Sequence, residues 1–454
     1  MREDYQELID EVSTLLGTPA TLENRDFGLI AFGAHEGPED GPDPALDPVR
    51  TRSILHRRSS AAVREWFESF GITRATGPVR IPAPDPGGPG GTPLDPAVGV
   101  VTGRLCLPVR HNGVVYGYVW LLDDGALDLA DPRLARAART ADRIGGLLAD
   151  EARAGARTGE LLRDLLGGSG GRDEVTAELR TALGPTAREP LALVAVLPRP
   201  DQPHGAAEGA ERRGGPGAAP AARGGAPHRA DGAPADAATG RAPGAAGLPS
   251  VAASCVLPAT ADGAPGPAAD TAGRGGAGGP LAVLVRLRAP DEPAPARTVA
   301  ERLLRTTPSG TLGTAGLSTP GVALTGLVAA WREAVAAARV ARADPRHGPV
   351  AEWAALGPYR LLTALPAPLE PDPAVRPLLA PAQRELAGTA EVFLDHAGQA
   401  GRTAAELGIH RQTLYYRLSR VEALTGLDLR AGGDRLLLHM ALKAARLTGN
   451  AAFR

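Results

Sequence analysis

RTAAELGIHRQTLYYRLSR, Arg402 to Arg420, is the stretch on which the reading of the whole chain turns. Its pattern predicts two short helices joined by a tight turn. Thr403 is placed to cap the first helix, and Glu406, three residues on, to reach back to the cap as a capping box. Ala404 and Ala405 are small where a second helix must cross closely. Gly408 suits the turn because it takes a positive φ without a Cβ clash, and Ile409 follows as an apolar plug. The second helix puts Leu414, Leu418 and Val421 on one face at i, i+4 and i+7. Its other face offers Arg411, Gln412, Tyr415, Tyr416, Ser419 and Arg420. One face is core and the other is rich in groups that bond phosphates and base edges, the pattern of a helix-turn-helix with its recognition helix.

Such geometry also occurs as plain helix packing, and an Arg-rich helix face is often only solvated. The coincidence of cap, small residues, glycine turn and polar face favours DNA binding. The flanks extend the unit. Leu386, Ala390, Phe393, Leu394 and Ala397 make an apolar stripe on a preceding helix, which would pack beneath the two motif helices. Leu424 to Leu429 reads as a turn. Asp434 is placed to cap a last helix carrying Leu437, Leu438, Ala441, Leu442, Ala445 and Leu447. A bundle of four or five helices is expected, with Leu407, Ile409, Leu414, Leu418 and Val421 among its core positions.

Composition bounds the rest. A chain of 454 residues suggests about three domains. The net charge of −2 gives no nucleic-acid signature for the whole chain, so basic character must be local. From Arg384 to Arg454 there are ten basic and seven acidic residues, which makes this segment +3 and leaves −5 for the remainder. Lys443 is the sole lysine among 49 basic residues. With abundant Ala, Gly and Pro, this points to the coding bias of a GC-rich, actinobacterial genome. Cys106 and Cys255 lie far apart and give neither a metal-ligand spacing nor a disulfide framework. The opening MREDYQELID lacks a basic and apolar leader, and no apolar run approaches membrane-spanning length. A cytoplasmic protein is expected, nucleoid-associated when bound to DNA, with no membrane partner.

Taken in order, residues 1–150 read as one α/β domain. Tyr5 to Leu16 is an amphipathic helix, Phe27 to Phe32 a short strand, and Thr51 to Phe70 helical. Pro78 to Pro96 is Pro/Gly-rich loop. Arg104 to Val109 and Val114 to Leu122 are the clearest strands, joined through Asn112-Gly113, a strong hairpin signal. Tyr116, Tyr118, Trp120 and Cys106 could line a pocket, but alternating aromatics on a strand more often make core. Asp131-Pro132 opens a helix running towards Asp150 and able to continue to Leu166, with Leu161, Leu162, Leu165 and Leu166 in its last amphipathic turns before Gly167-Gly168. Its seven-residue step breaks at Glu151, Gly155 and Thr158, so a shorter helical connector over 151–172, at a dimer interface, is preferred to a long coiled coil.

Residues 173–365 read as a second α/β unit. Leu191 to Leu197 and Leu281 to Leu287 are buried-strand runs. Between them, the Ala/Gly/Pro/Arg-rich insertion 198–280 predicts disorder, with only VAASCVL, Val251 to Leu257, suited to a strand. A ligand role for the isolated His204 and His228 is not expected. Ala296 to Thr306 predicts a helix, Gly313 to Leu317 a strand, and Gly321 to Ala343 a strong helix. Gly310, Gly313 and Gly316 lack the Gly-Lys-Ser/Thr ending of a phosphate loop. Val350 to Leu362 closes the unit, a Pro-rich linker follows over 366–382, and the DNA-binding domain spans 383–454.

The fold class expected is multidomain α/β plus all-α, ending in a helix-turn-helix bundle. The stretch LCLPVRHNGVVYGYVWLLDD with the helix after it resembles a GAF-like sensor domain, and such domains commonly hold a small ligand. HRQTLYYRLSRVEALTGLDL, followed by RLLLHMALKAARL, resembles the C-terminal helix-turn-helix of the PucR/CdaR family of bacterial transcription regulators. The helix over Gly321 to Ala343 and its preceding strand resemble that family's middle domain, a degenerate relative of the GGDEF nucleotide-cyclase fold. The insertion 198–280 departs from the family.

The resemblance implies a transcription factor that answers a small-molecule or protein signal, with double-stranded DNA as partner and a homodimer or higher oligomer as its form. Carried over by position, the DNA contacts are His410, Arg411, Gln412, Thr413, Tyr415, Tyr416 and Arg420, with Arg417 and Arg420 adding charge. Arg411 suits guanine and Gln412 adenine in the major groove. Thr413 and the tyrosine hydroxyls suit phosphate. No cofactor, catalytic group or metal ligand is expected. One alternative is a helix-turn-helix that binds protein. Another is a nucleotide-processing enzyme, but 173–365 contains no GGDEF-type sequence, and Gly432-Gly433-Asp434 reads as a turn and cap.

Overall fold

The computed structural model describes residues 2–33, 47–83, 100–123, 125–168, 170–198, 248, 250–258, 279–306, 312–365 and 370–449. The expectations for 84–96, for most of the insertion, and for His204, His228 and Gly310 fall outside those residues. The chain divides into two units, Met1–Ala154 and Gly155–Arg454.

In the first unit, period-two alternation on the central hairpin sorts side chains to two faces of one sheet. The elements are α1 (Arg2–Leu16), β1 (Ala20–Asn24), β2 (Leu29–Phe32), α2 (Pro48–His56), α3 (Ala61–Ser69), β3 (Val79–Ile81), β4 (Arg104–His111), β5 (Val114–Leu122) and α4 (Pro132–Gly167). The five strands are antiparallel in the order β2-β1-β5-β4-β3. Asn112 and Gly113 have φ of 47° and 81°, the pair of left-handed residues a type I′ hairpin turn needs. Leu105, Leu107, Val109, Val119 and Leu121 pack with Leu8, Ile9 and Val12 of α1 and with Leu134, Ala141 and Ile144 of α4. Cys106, Tyr118 and Trp120 point to the opposite face, against Phe27, Val63 and Phe67. There the ring centroids of Phe67 and Trp120 are 4.5 Å apart. These residues form core, with Tyr116 half-buried at the strand's outer end.

Several elements of this unit differ from expectation. β1 and β3 are strands that pairing defines, β1 between β2 and β5 and β3 on β4. The single helix expected over 51–70 is two, because Arg57 takes a left-handed φ of 55° and Arg58 bridges to Gly28. The helix after Asp131 continues through Leu166, as its last leucines allow: α4 is one helix of 36 residues. Gly155 and Thr158 stay within it, and the missing Cβ of Gly159 admits the carbonyl of Ser254.

The second unit begins with the last turns of α4, whose Leu161, Leu162, Leu165 and Leu166 join its core. It continues through α5 (Arg172–Leu183), β6 (Leu191–Pro198), β7 (Val251–Val256), β8 (Leu281–Arg286), α6 (Ala294–Thr306), β9 (Leu312–Leu317), α7 (Leu327–Ala343), β10 (Val350–Glu352) and α8 (Tyr359–Leu362). The sheet order is β10-β9-β6-β8-β7, antiparallel except for the β10–β9 pair. Alternation again divides β6. Leu191, Leu193 and Ala195 face α7 and the end of α4, while Ala192, Val194 and Val196 face Val299 and Leu303 of α6. The alanine-rich α7 lies close on β9, and a Cβ on Gly316 would collide with the backbone of Ala334 and Ala338. Gly316 therefore serves packing. The helix expected from Gly321 starts only at Leu327, since Gly321 takes a φ of 76° and Val322 bridges to Leu191.

The chain ends in α9 (Arg384–Asp395), α10 (Ala400–Leu407), α11 (Arg411–Thr425) and α12 (Gly432–Leu447). Their core holds Ala387, Ala390, Leu394, Leu414, Leu418, Val421, Leu438 and Leu442. The Pro-rich stretch read as a linker is partly core as well: Val375, Leu378 and Leu379 are buried in the bundle. Met440, Ala444 and Leu447, on another side of α12, pack with Val340 of α7 and with Tyr359 and Leu362 of α8. Among the described residues, no helix is long and apolar enough to cross a membrane.

Candidate nucleic-acid interface

The turn between α10 and α11 is a Schellman closure. Gly408 has φ 62° and ψ 32°. Its N–H donates to the carbonyl of Ala405 at 3.2 Å, and the N–H of Ile409 donates to that of Ala404 at 3.0 Å. Ile409 packs partly buried against the core, so the turn that delivers α11 is fixed by backbone bonds and an apolar plug.

The capping box does not form. α10 starts four residues earlier than expected, with Gln399 at its cap, because Ala397 and Gly398, at φ 53° and 81°, have already reversed the chain after α9. Thr403 lies inside the helix, fully buried, and its Oγ1 donates to the carbonyl of Gln399 at 3.0 Å. Glu406 pairs instead with His396. Of the two alanines meant for the helix crossing, Ala404 is buried and Ala405 is exposed. Asp434 is likewise not the cap of α12, a position held by Ala431. It accepts the N–H of Asp428 at 2.8 Å and ties down the preceding turn.

α11 separates its faces as its periodicity predicts. Leu414, Leu418 and Val421 are buried. Arg411, Gln412, Thr413, Tyr415, Tyr416, Ser419 and Arg420 are exposed, and Tyr415 and Tyr416 are among the most open large apolar residues described, at 58% and 67%. His410 is the N-cap of α11. Its Nδ1 accepts the N–H of Gln412 at 3.3 Å, which assigns the proton of the neutral ring to Nε2 on the outer side. The guanidinium of Arg411 lies over Gly401 on α10.

Seven of the eight residues expected to meet DNA therefore share one exposed surface. Arg417 is the exception. Its guanidinium turns back to α9, where it is paired with Glu385 and donates to Thr389 Oγ1 at 3.3 Å. A position between the two faces of α11 puts it within reach of either, and the acid on α9 decides.

A cluster of ionic side chains behind this surface was not expected. Glu391 and Asp395 of α9 meet His439, Lys443 and Arg446 of α12, together with Asp344 and Arg346 from the turn after α7. The i, i+4 spacing of Glu391 and Asp395 and the i, i+4, i+7 spacing of His439, Lys443 and Arg446 were visible signals, but each alone reads as a solvated helix face. Burial alone would raise the Asp344 carboxyl; its bonds to Arg346 and the charges of Arg346 and Arg446 outweigh that and hold it at about 2. An open cleft of about 470 Å³ borders the cluster, and among its charged lining residues Asp344, Arg346, Glu385, Glu391, Glu406, Arg417 and Arg446 are already paired within the protein.

The family model of the PucR C-terminal helix-turn-helix domain matches residues 386–444. The chain carries a PucR-type helix-turn-helix. It is 49% identical over 55 residues to the carbohydrate diacid regulator of Escherichia coli (strain K12), a match covering 12% of this chain and 14% of that protein. It is 44% identical over 52 residues to the transcriptional activator PmfR of Paenarthrobacter nicotinovorans, covering 12% and 11%. The chain thus spans a small part of the length of these curated relatives. A solved regulator of polyketide synthase expression from Bifidobacterium adolescentis, 16% identical, aligns over 63% of this chain and 98% of its own, with a TM-score of 0.25. The PucR-type match takes in α9's apolar stripe, the Schellman turn, all of α11 and most of α12.

Proposed function

We propose that this protein is a sequence-specific, DNA-binding transcriptional regulator, and that α11 is its recognition helix. The observation that carries this is the exposed face of α11 within the PucR-type domain, where seven hydrogen-bonding or aromatic side chains project from a helix fixed by a Schellman turn. Arg411 and Gln412, in the first turn of the helix, are suited to base edges, as the N-terminal residues of a recognition helix are. Thr413, Tyr415, Tyr416 and Arg420 are suited to phosphate, and the Nε2 side of His410 completes the surface.

The remainder of the chain supplies control. We assign residues 1–150 to a GAF-like sensor for a small-molecule or protein signal. Residues 151–172 connect it to a degenerate GGDEF-like unit over 173–365, which contains the insertion 198–280. A segment over 366–382 leads to the DNA-binding domain at 383–454. The antiparallel order β2-β1-β5-β4-β3 with helices α1 and α4 on one face supports the first assignment. The mixed sheet with α6 and α7 on opposite faces supports the second. The protein acts in the cytoplasm as a homodimer or higher homo-oligomer, because a single recognition helix gains affinity and specificity by two-fold pairing on half-sites.

Genome-wide mapping of bound DNA, followed by gel shifts of the full chain on the fragments recovered, tests this reading. Expected is a salt-dependent complex with a shared, two-fold operator. Failure to bind any recovered fragment, with capture of a protein partner through Tyr415 and Tyr416 instead, would replace DNA with protein as the target of α11.

A further inference from the structure

Helix α9 is held by ionic contacts to two different parts of the second unit. On one side, Arg346 reaches it from the turn that follows α7, bonding Glu391 Oε1 at 3.0 Å and pairing with Asp395. Glu391 also accepts from Lys443 Nζ at 3.0 Å and from Arg446 Nε and Nη2 at 2.8 and 2.6 Å. Asp344 accepts from Arg346 Nη2 at 2.8 Å and from the Tyr359 hydroxyl at 3.0 Å. Three carboxylates thus face three fixed cations, with His439 bonding Asp395 at 2.8 Å, and the side chain of Glu391 is 1% exposed. On the other side, Glu385 and Thr389 hold Arg417 of α11. Glu385 and Glu391 are six residues apart on one helix, about 9 Å along its axis.

A buried ionic cluster of this kind is weak evidence for stability, since desolvation consumes most of its Coulombic gain; its better-attested use is to select one geometry. The geometry selected here leaves the DNA-facing side of α11 exposed. The docking of the bundle on the α7 turn therefore positions the recognition helix rather than masking it.

We propose that α9 is a coupling element: Arg346 docks it to the α/β part of this unit, and α9 in turn sets the attitude of the recognition helix through Arg417. Loosening of the 344–347 turn is transmitted along α9 and lowers operator affinity. This rests on the reading of α11 as the recognition helix, and the test separates the two.

Arg346→Ala, Arg417→Ala and the double variant are compared in the full chain, by fluorescence anisotropy on the mapped operator and by hydrogen exchange without DNA. Arg346→Ala is expected to weaken operator binding about tenfold, with affinity for random DNA and the salt slope unchanged. It is expected to raise amide exchange in α9 and α11 together. The double variant is expected to lose less than the product of the single losses, as coupled sites do. Operator affinity within twofold of the parent protein, affinity that rises, or multiplicative losses would overturn the proposal. Where the alanine variant precipitates, Arg346→Lys keeps the charge but cannot bridge three carboxylates, and the same outcomes apply. If the parent chain binds no DNA, the functional reading fails by itself. The exchange of α11 in Arg346→Ala then decides the coupling: a rise supports it, and no change refutes it.

Discussion

Lys443, the only lysine in the chain, places its Nζ 3.0 Å from Glu391 Oε1, with both side chains almost wholly buried. It also reaches Asp395 at 3.0 Å. A chain that uses arginine at 48 other basic positions keeps a compact ammonium here, where a flexible stem must bring a point charge between two carboxylates on one helix. Lys443→Met leaves Glu391 and Asp395 short of a cation and is expected to destabilise the C-terminal bundle by roughly 3–5 kcal/mol. Urea unfolding followed by far-ultraviolet circular dichroism measures this, and a loss below about 1 kcal/mol would refute the role given to the lysine.

The same cluster predicts acid sensitivity. Asp344 titrates at about 2, and Asp395 is held well below the carboxylate range: burial would raise it, but His439, Arg346 and Lys443 outweigh burial. An unfolded aspartate titrates near 4, so the native state binds fewer protons between those values. The stabilisation is therefore complete above about pH 4 and is lost as the pH falls towards 2. The protection factors of α9 and α12, taken relative to the intrinsic exchange rate at each pH, are expected to fall as the pH drops through that window, and Arg346→Ala to move the onset to higher pH. Protection factors independent of pH across it would contradict the assignment.

Glu23 predicts the opposite slope in the first unit. Its carboxylate accepts from Ser59 Oγ at 2.9 Å and Trp120 Nε1 at 3.0 Å within the aromatic face of the sheet. Burial pushes it from an ordinary 4.5 to about 7, against the opposing effects of the Ser59 bond, the Arg104 charge and the Trp120 bond. The native state then holds the proton more tightly, and stability falls as pH rises from 4.5 to 7 and is level above. Glu23→Gln is expected to flatten that slope. Tryptophan fluorescence during denaturant unfolding at pH 5 and pH 8 reads it directly.

At the candidate interface, Arg411→Ala is expected to cost about 1–3 kcal/mol on the operator and far less on random DNA if its contact is to a base. Arg420→Ala is expected to weaken both alike and to reduce the salt slope by about one. Salt-titrated gel shifts on the two DNAs distinguish these roles, and equal losses for Arg411→Ala would make it a phosphate contact.

Gly316→Ala tests the α7–β9 crossing. The added methyl would press on the backbone of Ala334 and Ala338, where no side chain can rotate away. A cost of about 1–3 kcal/mol is expected from overpacking. Denaturant unfolding of the second unit, with Trp331 as its buried reporter, measures it.

Legibility tracked the range of the interactions involved. Leu414, Leu418 and Val421 were readable because helical periodicity is local. Gly408 was readable because a Schellman turn needs a residue tolerant of positive φ. Asn112-Gly113 and the alternation on β4 and β5 were readable for the same reason. Thr403 and Asp434 misled because a good capping residue also bonds well inside a helix or to a neighbouring turn. β1 and β3 were missed because short strands gain definition only from the strands they join. Gly155 and Thr158 interrupt the seven-residue step but not the helix, because Leu161, Leu162, Leu165 and Leu166 beyond them are buried.

By itself the sequence determined the helix-turn-helix, the faces of α11, the hairpin and most of the α/β strands, since each depends on residues within a few turns or on alternation along one strand. Only the tertiary structure decided that Arg417 turns to Glu385, that Val375, Leu378 and Leu379 belong to the bundle, and that Arg346 meets Glu391 across 45 residues. The reason is physical. A charged side chain on a helix surface has several partners in reach, and the desolvation that makes one of them matter appears only when another element closes over it.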